Sequence, residues 1–267
     1  MTLPLAVQLY TFRDPDRFGG AGLGLDVPVL TQIAAAGFLG VETVDVPGGD
    51  PAAARGILDD LGLAIASSHT WADVADADSV ARAATALAEL GSGRMIVSAP
   101  PATTVAEVDA LADRLAAAAE VAAGHGLRFG YHNHDTELHE VDGTPVLDRL
   151  VTRLGDAIDL QIDLFWVAVG GAVPSVVVER FDKRVVSLHV KDGIDLPTTA
   201  YGAGPFVNVP ALEGVVELEP AIVVAQNQPW VEWLIVEFDH VDGAPIDAAR
   251  RSHDHLIERG LARGRGS

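Results

Sequence analysis

Three ionisable residues close apolar runs in the second half of the chain. Asp163 ends "LQID" (160–163), His189 ends "VVSLH" (185–189) and Glu237 ends "WLIVE" (233–237). An unpaired carboxylate at the buried end of such a run costs several kcal/mol, and one cation shared by all three residues removes that cost. Imidazole and carboxylate make a nitrogen–oxygen donor set suited to Mn2+, Mg2+, Co2+ or Zn2+. The chain has no cysteine, so disulfides and thiolate metal sites are excluded. Singly, each residue has a structural reading: Asp163 caps the next helix or turn, His189 packs as a hydrogen-bonded histidine, Glu237 pairs with an arginine. Their recurrence at three consecutive run ends favours the metal.

A denser polar stretch is "YHNHD" (131–135), which follows "LRFG" (127–130) and is itself followed by Glu137. It brings His132, Asn133, His134 and Asp135 to one place. Lys191 lies two residues beyond His189, on the same side of an extended chain. Only Lys183 and Lys191 are lysines, the other basic positions being arginine. Lys191 therefore reads as a binder of a substrate oxygen or as a proton donor, against an ion pair with Asp192. The earlier run ends carry Gln8 and Tyr10, Glu42 and Asp45, then His69, and lastly "SAPP" (98–101) with nothing titratable. Trp166 reads first as core or rim packing, and alternatively lines a sugar pocket with Tyr10, since flat faces pack on C–H surfaces; His69 is taken with them as a substrate contact.

Eight Val-, Ile- and Leu-rich runs position these residues: 5–10, 40–46, 63–69, 94–99, 127–133, 158–163, 185–191 and 233–239. They are continuous rather than alternating, as strands buried on both faces are. Helical spacing between them predicts helices at 28–37, 50–62, 78–91, 104–126, 145–154, 173–182 and 244–260. The stretch 209–230 holds helix-like pieces interrupted by Pro220. Eight β/α alternations predict a (β/α)8 TIM barrel, in which chemistry sits at the C-terminal strand ends. The competing doubly wound sheet needs a tight glycine-rich turn after its first strand, and "FGGAGLGLD" (18–26) is too far from a strand–helix junction. One domain over 1–267 is expected, with 262–267 a frayed tail.

The 267 residues are 49% hydrophobic and 21% charged, a globular composition. With 38 acidic and 18 basic residues the net charge is −20, which disfavours nucleic acid and anionic membranes as partners. The N-terminus lacks a basic region followed by an apolar run, and no run approaches a membrane span, so a cytoplasmic protein is expected. Few basic residues fall at the strand ends, which favours an unphosphorylated ligand.

Together "VQLYTFRD" (7–14), "YHNHDTEL" (131–138), "LQIDLFWVAVGGAVP" (160–174), "SLHVKDG" (187–193), "GAGPFVNVP" (202–210) and "WLIVEFD" (233–239) resemble the xylose isomerase-like barrel superfamily, in its sugar phosphate isomerase/epimerase group. The resemblance implies one divalent ion, Mn2+ foremost, held by Glu, Asp, His and Glu from strands five to eight. Asp163, His189 and Glu237 carry over. The first glutamate does not, because His132 stands there. The fourth ligand is then His132 or Glu137, with Glu137 preferred because it keeps the family's donor set and leaves His132 and His134 to the substrate.

The implied activity is isomerisation or epimerisation of a ketose or related polyol by proton abstraction beside a metal-bound carbonyl. Glu237 is one base, Glu137 or a histidine such as His132 acts opposite it, and Lys191 assists. Loss of water from a keto-inositol, or cleavage of a 3-keto-glycoside, shares that first step. A non-catalytic sugar-binding barrel is a further alternative. The superfamily's apurinic endonucleases need a multi-zinc cluster and a basic DNA face, which the charge argues against. Homo-oligomerisation stays open.

Overall fold

The computed structural model describes residues 2–13, 26–197 and 206–266. Eight parallel strands form the barrel: β1 Leu3–Gln8, β2 Gly40–Val44, β3 Ala64–His69, β4 Arg94–Val97, β5 Arg128–His132, β6 Asp159–Asp163, β7 Val185–Val190 and β8 Trp233–Val236. Each pairs with the next, and β8 returns to β1 through Leu5↔Leu234, Ala6↔Ile235 and Val7↔Val236, so the sheet closes as predicted. Closure buries both faces, which is why the runs do not alternate.

Helices α1 Val27–Ala35, α2 Pro51–Asp60, α3 Ala77–Leu90, α4 Val105–Gly124, α5 Val146–Leu154, α6 Leu164–Val169, α7 Pro174–Phe181, α8 Leu218–Gln226 and α9 Pro245–Glu258 follow the strands. Their starts are written in the sequence. Asp50 caps α2 ahead of Pro51, and Thr104 and Glu107 form a capping box on α4. Pro220 does not break α8. It sits in the first turn, where its missing N–H has no intrahelical partner to lose. The loop before α8 is gathered by Asp192, whose carboxylate accepts from the backbone N–H groups of Gly193, Leu212, Gly214 and Val216. Asp192 is thus a loop anchor, not a partner of Lys191.

Inside the barrel, residues two apart along each strand stack in layers. Ala6, Ala66 and Ile235 form an apolar layer with Trp233 below it. Gly40 makes room for that indole, since a Cβ there would stand 3.1 Å from the ring and 2.7 Å from Ala64 O. At the N-terminal end Arg94 is buried, donating to Asp159 (2.8 Å) and to both oxygens of Glu232 (2.9 and 3.0 Å). Asp159 also accepts from Arg128 Nε (2.8 Å) and Nη2 (2.5 Å), so Arg94→Leu is expected to cost about 2 kcal/mol through its lost charged hydrogen bonds. Urea unfolding measures this, and an unchanged midpoint would mean that Arg128 alone satisfies Asp159.

The tail differs from expectation. Ala262 and Arg263 pair in parallel with Leu3 and Pro4 of β1, and the Arg265 guanidinium donates to the carbonyls of Phe38, Leu61 and Gly62. Backbone pairing and an arginine fork hold it where composition alone suggested fraying. The stretch "FGGAGLGLD" lies outside the described residues except for Asp26, as do the first four residues of "GAGPFVNVP".

Candidate active site

Alternation carries one set of side chains from each strand to the C-terminal mouth. Gln161 and Asp163 come from β6, Ser187 and His189 from β7 with Lys191 just beyond, and Glu237 follows β8. Ligand atoms of Asp163, His189 and Glu237 lie within 4.8 Å of one another, all three residues buried. His189 Nδ1 stands 2.9 Å from Glu237 Oε2 and 3.9 Å from Asp163 Oδ2. His132 Nε2 is 3.8 Å from the same Asp163 oxygen.

Asp163 fills the capping role foreseen for it. Oδ1 caps α6, accepting from Phe165 N (3.0 Å) and Trp166 N (3.1 Å). Oδ2 is buried with no hydrogen bond, the Lys191 ammonium standing 3.0 Å away outside donor angles. The cap sets the carboxylate's orientation, so its second oxygen faces His132, His189 and Lys191.

Lys191 Nζ lies 2.6 Å from Glu237 and 2.8 Å from Asp239. Burial pushes its pKa down, but Asp163, Asp239 and Glu237 outweigh that and hold it well above the usual lysine value. Burial raises Glu237, yet Lys191 and His189 hold it well below the ordinary carboxylate range. Asp163 moves up, chiefly by burial.

Glu42 is the functional residue that sequence reading left unassigned. It is fully buried on β2 and accepts from Gln8 Nε2 (2.6 Å), Gln161 Nε2 (2.7 Å) and Ser67 Oγ. Its Oε2 also lies 2.6 Å from His189 Nε2. Burial alone would raise Glu42, but His69 and His189 bring it down to about 2. His189, depressed by burial, is lifted by Glu42 and Glu237 to about 10. Glu42 thus fixes the Nε2–H of His189 and turns Nδ1 toward Asp163 and Glu237, the outer-shell carboxylate that a metal-binding histidine needs. A lone acid within the apolar run "GVETV" was the available signal. Glu42→Gln is expected to weaken Mn2+ binding by about tenfold to a hundredfold. Calorimetric titration of the metal-free protein reads it, and unchanged affinity would remove Glu42 from this role.

His69, His132 and His189 also form a tight group. Gln161 explains it. Its amide nitrogen donates to Glu42 and to Ser187 Oγ (3.2 Å), so Oε1 faces His69 Nε2 (2.6 Å) and His132 Nδ1 (2.9 Å) and accepts from both. Those two nitrogens carry protons and cannot ligate a second ion. His132 is left with Nε2 as its acceptor, facing Asp163. Its pKa falls well below the histidine value, first by burial and then by His189 and His69, so it is neutral.

Glu137 is not brought to this group. Tyr131 Oη donates to its Oε1 (2.7 Å), while His134 N (2.9 Å) and Thr136 Oγ1 (3.1 Å) donate to Oε2. The Tyr131 ring faces the α5 side of the barrel wall, which draws Glu137 outward. Trp166, expected against substrate, is instead 1% exposed and packs behind His134 and Lys191, its rings 5.9 Å from the former's and 5.7 Å from the latter's ammonium. Capping by Asp163 starts α6 at once and folds the indole under the floor.

Tyr10, His69, His132, His134, Lys191 and Glu237 do share the wall of one cavity of about 710 Å³. Burial and Lys191 lower His134 to about 3, leaving a neutral imidazole.

The donor set fits a divalent cation. Glu42, Asp163, Glu237 and Asp239 converge on one ammonium and one imidazolium, an excess of two negative charges, and one Asp163 oxygen lacks a donor. No described helix is long and apolar enough to cross a membrane.

Known proteins share this architecture. A sugar phosphate isomerase/epimerase of Parabacteroides distasonis superposes with a TM-score of 0.79 at 20% identity, covering 98% of this chain and all of that one. A xylose isomerase-like TIM barrel protein of Mycobacterium smegmatis, in complex with magnesium, superposes at 0.69 with 20% identity and 98% of each chain covered. In sequence the chain is 25% identical to the rhizopine catabolism protein MocC of Rhizobium meliloti, over 99% of this chain and 90% of that protein. The family model that matches residues 30–259 agrees with the closed barrel and its loaded mouth: the chain belongs to the xylose isomerase-like TIM barrel family.

Proposed function

We propose that the chain is a divalent-metal-dependent isomerase or epimerase that shifts a proton at the carbon beside a carbonyl of an unphosphorylated ketose or related polyol. The carrying observation is the close grouping of Asp163, His189 and Glu237, with excess negative charge, of which Glu237 also lines a cavity large enough for a sugar. His132 Nε2, Asp163 Oδ2, His189 Nδ1 and Glu237 would hold the ion. Mn2+ is preferred, and Mg2+, Co2+ and Zn2+ suit the same donors. When bound, the ion polarises a carbonyl and stabilises the charge that enolisation places on its oxygen.

The chain's own residues do the rest. Glu237, kept ionised by Lys191 and His189, takes the proton. His134, neutral and on the cavity wall, replaces Glu137 as the group able to exchange a proton from another side. Tyr10 and His69 contact the sugar, and Lys191 neutralises the carboxylates and reaches a substrate oxygen. A second reading, loss of water from a keto-inositol or of the glycosidic oxygen from a 3-keto-glycoside, is favoured by the Lys191 ammonium 2.6 Å from the base, able to protonate a departing oxygen.

The test is incubation of the Mn2+-loaded protein with ketoses, keto-inositols and 3-keto-glycosides in D2O, followed by NMR. Deuterium is expected at the carbon beside the carbonyl, and its absence across the panel would overturn the proposal.

A further inference from the structure

The cavity is larger than a monosaccharide needs. A hexose fills roughly 200 Å³ at interior packing density, against about 710 Å³ here. Its two walls differ in chemistry. The ionisable wall comes from β5, β7 and β8. Across the closed barrel, the segments after β3 and β4 contribute Trp71, Ala72, Val74, Pro100, Pro101 and Ala102.

Trp71 is 62% exposed, while Trp166 is buried and Trp230 and Trp233 half-buried. A lone exposed apolar side chain is ordinary. Trp71 differs because its face belongs to the same cavity as the catalytic cluster, edge-on to Tyr10 with ring centroids 6.3 Å apart at 60°. Beside it the two prolines present a rigid apolar surface.

Three polar side chains of this wall are committed elsewhere. Thr70 Oγ1 donates to Asp45 (2.6 Å), Asp73 accepts from Ala75 N (2.9 Å), and Glu107 is held in the α4 capping box. Ser98 and Arg114 also line the cavity, but the exposed face of Trp71 and the two prolines offer an aromatic ring the larger surface.

We infer that this wall is a subsite for a planar apolar group attached to the sugar, so that the substrate is a keto-glycoside with an aromatic aglycone, as in the second reading above, rather than a free monosaccharide. The inference rests on the proposed placement of the sugar at the metal-binding cluster. The aglycone lies over Trp71 and Pro100–Pro101, and the sugar carbon that loses its proton faces Glu237.

Equilibrium binding tests it without turnover, so its failure is separable from failure of the D2O exchange. Phenyl and methyl glycosides of glucose, galactose and mannose, and the matching disaccharides, are titrated calorimetrically into the Mn2+-loaded protein. For the recognised sugar the phenyl glycoside is expected to bind about fivefold to tenfold tighter than the methyl one. Trp71→Ala should abolish the difference and Trp71→Phe keep most of it, both with unchanged melting temperature because the side chain is exposed. No phenyl preference for any sugar, a preference that survives Trp71→Ala, or a disaccharide that binds tighter than its phenyl counterpart would each overturn the inference.

Discussion

Glu237→Gln is expected to slow proton exchange in D2O by about a thousandfold at saturating Mn2+, the scale of a lost general base. The side chain keeps its shape and one ligand oxygen but loses the basicity that Lys191 and His189 sustain around it. Sugar binding should persist, because Tyr10, His69 and His134 line the cavity independently. Metal occupancy is measured alongside, so that a loss of rate is not confused with a loss of ion. Exchange within twofold of the unaltered protein would mean that Glu237 only binds, and would bring forward a non-catalytic sugar-binding barrel.

The second large effect separates His132 from Glu137. His132→Ala is expected to weaken Mn2+ by more than about a hundredfold, beyond what loss of an outer-shell partner does. The folded state should suffer little, since the ring's Nδ1–H donates to a Gln161 oxygen that His69 also occupies. Glu137→Ala should do the reverse. It removes the carboxylate that accepts from the Tyr131 hydroxyl and the His134 N–H, a loss of about 3 kcal/mol, with Mn2+ affinity changed only a few-fold. Calorimetry and urea unfolding on both variants read the contrast. If Glu137→Ala loses the ion instead, the loop supplies the fourth ligand.

The barrel was legible because its cause is local. Continuous apolar runs repeat eight times along the chain, and parallel strands buried on both faces leave that mark. Asp163, His189 and Glu237 were legible for a related reason: an ionisable group ending an apolar run stands out against its neighbours. The boundaries moved by at most three residues. Tyr10 falls in the turn Leu9–Phe12 rather than in β1, and Glu237 lies one residue past β8.

What the chain's order could not disclose is which polar groups meet across the barrel. Glu42 and His189 are far apart in sequence and touch only because closure brings β2 and β7 to the same interior layer. Glu137 looked like a ligand by type and position, yet Tyr131, on the outer face of β5, engages its carboxylate. Trp166 looked like a sugar platform, and the cap that Asp163 places on α6 turns it under the floor. The sequence by itself determined the strands, the mouth and three residues able to ligate, because apolar period and isolated charge are properties of neighbours along the chain. Only the tertiary structure decided the tautomers, the partners of Glu137 and the aromatic wall, because hydrogen-bond direction and cavity shape depend on residues that meet only when the barrel closes.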